Sequence, residues 1–422
     1  MVIYYKTSNK IKKAKSNFSM YVRSLFWKRR SDCILFGSWS GTRFADNTRY
    51  LYQYLHENKF KYGIAHVVWV TRNNDVYSTM KKMGYEVYMM DSKESIYFHK
   101  HSMIHFICNT SSRDGKYEGD IEGQYSFGAY KVNLWHGLGN KSIGLLSGEY
   151  RERFSKHPIF YKIKNIINLN SKLYKALFEE QGNWGSCFIL CPSMALTNDM
   201  CKEFLRKQKD FIFADYPRHS RTIQLTKEEE RILNRINNAS KVILYVPTFR
   251  DGANVPDFSS IAARILNKLD SDDILWIQKI HTADDKKYEM STSLNNIVTL
   301  DSNFDINTII PYIDIIITDY SSVASDGMYF FKPVVYYVPD FENFKNSSNG
   351  FLVDPHEIMK GPCARNEFEL VDYIAKTLQK PECAKYEGYD MVRDYYWNVS
   401  EDISIVWQKI IEKIGLKSNY IK

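Results

Sequence analysis

Between Ile313 and Val338 the chain reads IDIIITDYSSVASDGMYFFKPVVYYV, and that order of residue types admits few folds. Ile313 and Ile315–Ile317 form a short β-branched run without polar alternation, the pattern of a strand buried on both faces of a parallel sheet. Thr318-Asp319-Tyr320-Ser321-Ser322 follows at its carboxyl end, with Ser321 or Ser322 placed to cap a helix through Ala324, Met328 and Phe331. Lys332-Pro333 breaks that helix, and Val334–Val338 reads as the next strand. Hydroxyls at a helix amino end behind a parallel strand suit an anion, because free N–H groups and the positive end of the dipole point there. The same order equally describes a plain capped βαβ unit with nothing bound.

The alternation recurs along the chain, which predicts an α/β protein. Before residue 219 the expected strands are Cys33–Phe36, His66–Val70, Glu86–Met89, Ile104–Cys108, Lys131–Leu134, Phe188–Leu190 and Phe211–Phe213. Beyond it they are Val242–Val246, Ile274–Gln278, Ile297–Leu300, Ile313–Ile317 and Val334–Val338. At 422 residues the chain has room for two cores. The expected division is a basic arm at 1–31, a first α/β domain at 32–218, a second at 219–395 and a closing helix at 396–422. Asp215-Tyr216-Pro217-Arg218-His219 marks the junction.

The formal charge of +8 is uneven. Residues 1–31 hold nine Lys/Arg and no acid, interleaved with Phe18, Met20, Tyr21, Val22, Leu25, Phe26 and Trp27. A basic helix with an aromatic face suits an anionic membrane surface; nucleic acid, or a leader helix packed on the body, are the alternatives. Residues 151–175 repeat the pattern with Phe154, Phe160, Tyr161, Ile163 and Ile166, and a helix solvated on one face explains them equally well. No run of eighteen apolar residues occurs, so a cytoplasmic, peripheral protein is expected. The seven scattered cysteines suit reduced core positions better than disulfides, and Cys187/Cys191 lack a partner pair for zinc.

Chemistry concentrates at strand ends. His136 stands directly past Lys131–Leu134, beside Gly137, where open α/β sheets take ligands and where imidazole serves as a general base. A structural histidine is the plainer alternative. Gly37–Gly41, with Arg43, Asp46, Asn47 and Arg49 behind it, is a small-residue turn suited to a nucleotide or an acceptor. In the second half Thr248, Arg250, Lys279, His281, Asp319, Ser321 and Ser322 follow separate strands, and Arg250 offers a planar cation to phosphate. His99, His101 and His105 read as surface and strand-edge residues, and Glu228–Glu230 as a solvated helix face.

Taken together, ILFGSWSGTRFADNTRYLYQYL, NLWHGLGNK, DYPRH, ILYVPTFRDG, IITDYSSVASDGMYFFKPVVYY and the GPC at 361–363 resemble, in order, the blocks of the CDP-glycerol glycerophosphotransferases of teichoic-acid and capsule synthesis. The departures are WHGLGNK for the commoner WHG-T-P-L-K, His219 where Asn is usual, and Thr282 after His281 where Pro is common. The resemblance implies two Rossmann-like domains facing a cleft, a glycosyltransferase-B-like arrangement, with no cofactor or metal. It implies attack of an acceptor hydroxyl on the β-phosphorus of CDP-glycerol or CDP-ribitol, with release of CMP. The acceptor would be lipid-linked or polymeric, and a homo-oligomer is left open. The catalytic residues the resemblance implies are His136, which matches the family's base, and His281, which matches its second essential histidine and would steady the diphosphate. Thr248, Arg250, Ser321 and Ser322 map onto diphosphate contacts, with Lys279 and Asp319 beside them. A sugar-nucleotide glycosyltransferase of the same fold and a non-catalytic membrane-docked scaffold are the rival expectations.

Overall fold

The computed structural model describes residues 16, 18–109, 119–170, 188–220, 223–248, 258–269, 273–279, 295–345 and 350–416. Arg250, His281, Cys187 and the start of the basic arm lie outside them.

Two compact units emerge. The first comprises Met1–His136, Glu152–Gln224 and Val399–Lys422, and the second Gly137–Arg151 and Leu225–Asn398. The segment after His136 therefore belongs to the second unit, which a single division at residue 218 does not anticipate.

The first unit carries a seven-stranded sheet in the order β3-β2-β1-β4-β5-β6-β7. Its strands are β1 Arg30–Phe36, β2 His66–Thr71, β3 Val87–Met89, β4 Ser102–Ile107, β5 Tyr130–Asn133, β6 Phe188–Cys191 and β7 Phe211–Phe213. Every pairing is parallel, with Cys33 opposite His66 and Ile104 opposite Tyr130. The sheet interior is aromatic: Phe36 stacks on Phe106 at 4.6 Å and Phe44 meets Trp69 edge-on at 4.8 Å. The C-terminal helix Ile403–Ile414, capped by Asp402, belongs to this unit and packs Trp407 against Tyr62 and Phe106.

The second unit carries a six-stranded parallel sheet in the order β10-β9-β8-β11-β12-β13. Its strands are β8 Lys241–Val246, β9 Ile274–Lys279, β10 Ile297–Leu300, β11 Ile315–Thr318, β12 Val334–Tyr337 and β13 Cys363–Ala364. Ile243, Trp276, Ile315, Ile317 and Val335 form the core on one face, and Leu244, Ile277 and Ile316 serve the other. Burial on both faces explains why these strands read as unbroken apolar runs. A Cβ on Gly361 would stand 2.2 Å from the Val334 carbonyl, so only glycine lets the chain enter beside β12.

Several polar positions depart from expectation. His99 and His105 are buried beside Arg29, not surface-exposed. Burial pushes His99 down to about 4 and holds His105 well below its ordinary range, which favours the neutral ring in both. Glu229 is buried as well, because it closes a capping box with Thr226 at the start of Lys227–Asn237. Cys363 and Cys383 are exposed, whereas Cys33, Cys108 and Cys191 are buried.

Candidate functional site

The chemistry of the first unit gathers at the carboxyl ends of β1, β4 and β5. After β5, Leu134 donates its N–H to the Ile107 carbonyl and Trp135 to the Asn133 side chain, which brings His136 back over the end of β4. His136 Nδ1 lies 2.8 Å from the Cys108 carbonyl oxygen. A carbonyl only accepts, so in the neutral ring Nδ1 carries the proton and Nε2 holds the basic lone pair. Among the described residues no hydrogen bond reaches Nε2. Trp39 and Trp135 flank the ring at 4.7 and 4.1 Å between centroids. Burial pulls the imidazole below its ordinary range; the Asp46 carboxylate and the Cys108 carbonyl oppose this, and Arg218 adds to it.

The Gly37–Gly41 turn is pinned by Asp120. That carboxylate accepts from the Ser40, Cys108 and Asn109 N–H groups at 2.7, 2.9 and 2.7 Å. Burial nevertheless pushes its carboxyl up to about 6. Arg49 is buried too, with its guanidinium on Phe44 and the Gln224 carbonyl, so it serves structure. His219 Nδ1 is held by Asp215 at 2.6 Å.

In the second unit β8 and β11 are neighbours, and the sheet changes direction of winding between them. Ligands of open α/β sheets bind outside such a point. Thr318 Oγ1 donates to the Val246 carbonyl at 2.6 Å, tying the two strand ends. Asp319 Oδ1 accepts from Thr248 N (2.9 Å), Thr248 Oγ1 (2.6 Å) and Tyr320 N (2.5 Å). Thr248 and Asp319 are thus brought together, with Asp319 buried as a brace. Ser321 Oγ accepts from Val323 N at a long 3.4 Å, and Ser322 caps nothing with its side chain. The expected serine cap is therefore weak, because Ser322 already has helical angles (φ −63°, ψ −12°). The helix itself is short, Val323–Tyr329, and both serines are half-exposed. Lys279 ends β9 with its ammonium on the Phe304 carbonyl.

One cation at the turn escaped the sequence reading. Lys141 Nζ donates to Thr248 Oγ1 at 3.0 Å. Its loop is held in the second unit by Asn140, which exchanges hydrogen bonds of 2.8 Å with Val353, and by Ser325 Oγ, which donates to the Leu138 carbonyl at 2.5 Å. A Cβ on Gly137 would stand 2.5 Å from Ser322 Oγ, so this loop passes close against the serine turn. A small cavity opens here between Gly139, Asp319, Ser321, Phe351 and Met359.

The basic arm has structural as well as surface residues. Arg29 donates to the carbonyls of His99, Ser102, Tyr125 and Phe127, and Arg30 pairs with Asp32. Trp27 lies against Tyr125, with Arg29 and Lys100 over its ring. Leu25 and Phe26, by contrast, are exposed, Phe26 at 82 %. The helix Pro158–Asn170 similarly exposes Ile159, Phe160, Ile163 and Ile166. Among the described residues no helix is long and apolar enough to cross a membrane.

Comparison with known proteins agrees with this architecture. The chain is 24 % identical over 375 residues to the teichoic acid poly(glycerol phosphate) polymerase of Bacillus spizizenii, covering 83 % of this chain and 84 % of the relative. It is 24 % identical over 367 residues to the teichoic acid glycerol-phosphate transferase of Staphylococcus aureus, covering 81 % and 82 %. A solved structure of the wall teichoic acid polymerase TagF shares the fold, with a TM-score of 0.69 at 19 % identity over 98 % of both chains. The family model of CDP-glycerol:poly(glycerophosphate) glycerophosphotransferase matches residues 19–412, so the chain belongs to that family and is a glycerophosphotransferase.

Proposed function

We propose that this protein transfers glycerol phosphate from CDP-glycerol to a hydroxyl of a membrane-associated teichoic-acid-type acceptor, with His136 as the general base. The acceptor O–H gives its proton to His136 Nε2 as its oxygen bonds to the β-phosphorus. The bond from that phosphorus to the bridging oxygen breaks, and CMP leaves. The observation that carries the reading is the His136 tautomer, since the Cys108 carbonyl holds the proton on Nδ1 and so keeps Nε2 as the acceptor.

The donor diphosphate is assigned to the turn after β11. Asp319 and Thr248 brace it, while the Ser321 and Ser322 hydroxyls and the Lys141 ammonium supply donors. Arg250 and His281 keep the diphosphate-binding roles that the family resemblance implies. Exposed apolar residues of the arm and of Pro158–Asn170, beside Lys162 and Lys164, support peripheral attachment to an anionic bilayer. Ribitol remains the alternative alditol.

The test is turnover by His136→Ala with CDP-glycerol and CDP-ribitol side by side on a short lipid-linked acceptor. Expected is a loss of at least about a hundredfold in kcat with CDP-alditol affinity nearly unchanged. Wild-type turnover would remove His136 from the mechanism.

A further inference from the structure

We propose that Asp46, Asn47 and Arg218 form a clamp that positions the His136 imidazole through its backbone, an inference that rests on the reading of His136 as the base. All three are buried in the first unit. Arg218 Nη1 donates to Asp46 Oδ1 at 2.8 Å and to the His136 carbonyl at 2.5 Å. The Arg218 N–H donates to Asn47 Oδ1 at 3.2 Å. Asn47 Nδ2 in turn donates to the Leu134 carbonyl at 3.1 Å and the Trp135 carbonyl at 2.8 Å. Three successive carbonyls, those of residues 134, 135 and 136, are thus held by two side chains that come from distant parts of the sequence.

The need for the clamp lies in the backbone it grips. Trp135 has φ +54° and Asp46 φ +67°, the left-handed region that side-chain-bearing residues rarely occupy. Such residues persist only where their surroundings over-determine them, and they gather at functional sites. The left-handed residue Trp135 sets the direction in which the chain leaves β5, and the His136 ring just beyond it meets the Cys108 carbonyl. Relaxation of Trp135 to negative φ would rotate the peptide that leads into His136 and swing the ring off that carbonyl. A guanidinium suits the task because its rigid fork serves two acceptors at once. None of the three side chains hydrogen-bonds the imidazole itself among the described residues, so they are positioning residues.

The experiment measures kcat and KM for the full-length enzyme with CDP-glycerol and a lipid-linked acceptor. Its variants are Arg218→Ala, Asn47→Ala and Arg218→Lys, each made alone and in a His136→Ala background. A displacement of about 1 Å from a productive geometry costs on the order of a hundredfold. Arg218→Ala and Asn47→Ala are therefore expected to lower kcat by about that factor, with KM for CDP-glycerol changed less than about threefold. In the His136→Ala background the same substitutions should cost less than about threefold, because groups that act as one unit are not additive. Arg218→Lys, which keeps the charge and one acceptor, should fall between and carries the test if Arg218→Ala does not fold. Equal losses in both backgrounds, or wild-type kcat in folded variants, overturn the clamp while His136 stands as the base. Wild-type turnover by His136→Ala alone overturns the base, and the clamp with it.

Discussion

Replacing Thr248 by Val tests how the donor turn is held, because valine keeps the shape and removes only the hydroxyl. That hydroxyl donates to Asp319 at 2.6 Å and accepts from Lys141 at 3.0 Å, while the Thr248 N–H bond to Asp319 survives the change. Asp319 is only 2 % exposed, so water cannot replace the lost donor. Removing one partner of a buried charged group costs roughly 1.5–3 kcal/mol. A local destabilisation of about 2 kcal/mol corresponds to about thirtyfold. The amide of Tyr320, which also donates to Asp319, should therefore exchange hydrogen about thirtyfold faster, read by mass spectrometry under native conditions. Exchange in β1 and β4, which lie in the other unit, should not move. Thr248→Ser, which keeps the oxygen and loses one methyl worth about 0.8 kcal/mol, is the control. Unchanged protection of Tyr320 in Thr248→Val would refute the brace and return Thr248 and Asp319 to direct ligand contact alone.

Ser322→Ala should weaken CDP-glycerol binding by roughly 1–3 kcal/mol with no loss of stability, since the Ser322 side chain caps nothing; calorimetry reads both, and unchanged affinity places the diphosphate elsewhere. The acid limb of kcat/KM should have its midpoint below the usual imidazole pKa of about 6.5, because burial favours neutral His136 and the base works unprotonated; a midpoint above that value contradicts the assignment. Phe26→Ala should reduce sedimentation with anionic vesicles, whereas Trp27→Ala should chiefly expose the arm to protease by removing its seat on Tyr125. Equal vesicle binding by Phe26→Ala and wild type would count against the membrane reading of the arm.

The strands were legible because both faces of each sheet are covered, which forces unbroken β-branched and aromatic runs. Phe211–Phe213 and Ile297–Leu300 agree at both ends with the structure. The two-residue strand Cys363–Ala364 left no pattern, because it is an edge strand too short for periodicity. His136 stood out as a candidate because it comes shortly after the end of a strand, β5 closing at Asn133. Lys141, Asn47 and Arg218 could not be assigned their partners, because those partners are backbone carbonyls or hydroxyls far off in sequence: Leu134 for Asn47, His136 for Arg218, Thr248 for Lys141. Polar residues gave the poorest guidance. His99, His105 and Glu229 look like surface groups until Arg29 and the Thr226 cap bring them inside.

Each unit holds a buried aspartate whose carboxylate is taken up by the protein's own loops. Asp120 gathers three N–H groups around the turn after β1, and Asp319 gathers Thr248 and Tyr320 around the turn after β11. Desolvation makes such carboxylates poor sources of net stability. Their return is geometric, since one carboxylate with two oxygens can hold several donors from separate strands in one arrangement. For phosphoryl transfer this is an apt use of a negative group. An unbraced carboxylate facing a diphosphate would repel it, whereas one already saturated by N–H and O–H donors presents the backbone and hydroxyls it has organised. The Asp46–Arg218 pair works by the same logic on the other side of the charge balance, its guanidinium taken up by a carbonyl and a carboxylate. Acids near a phosphate site that already accept from two or more loops are accordingly better read as builders of the site than as ligands in it.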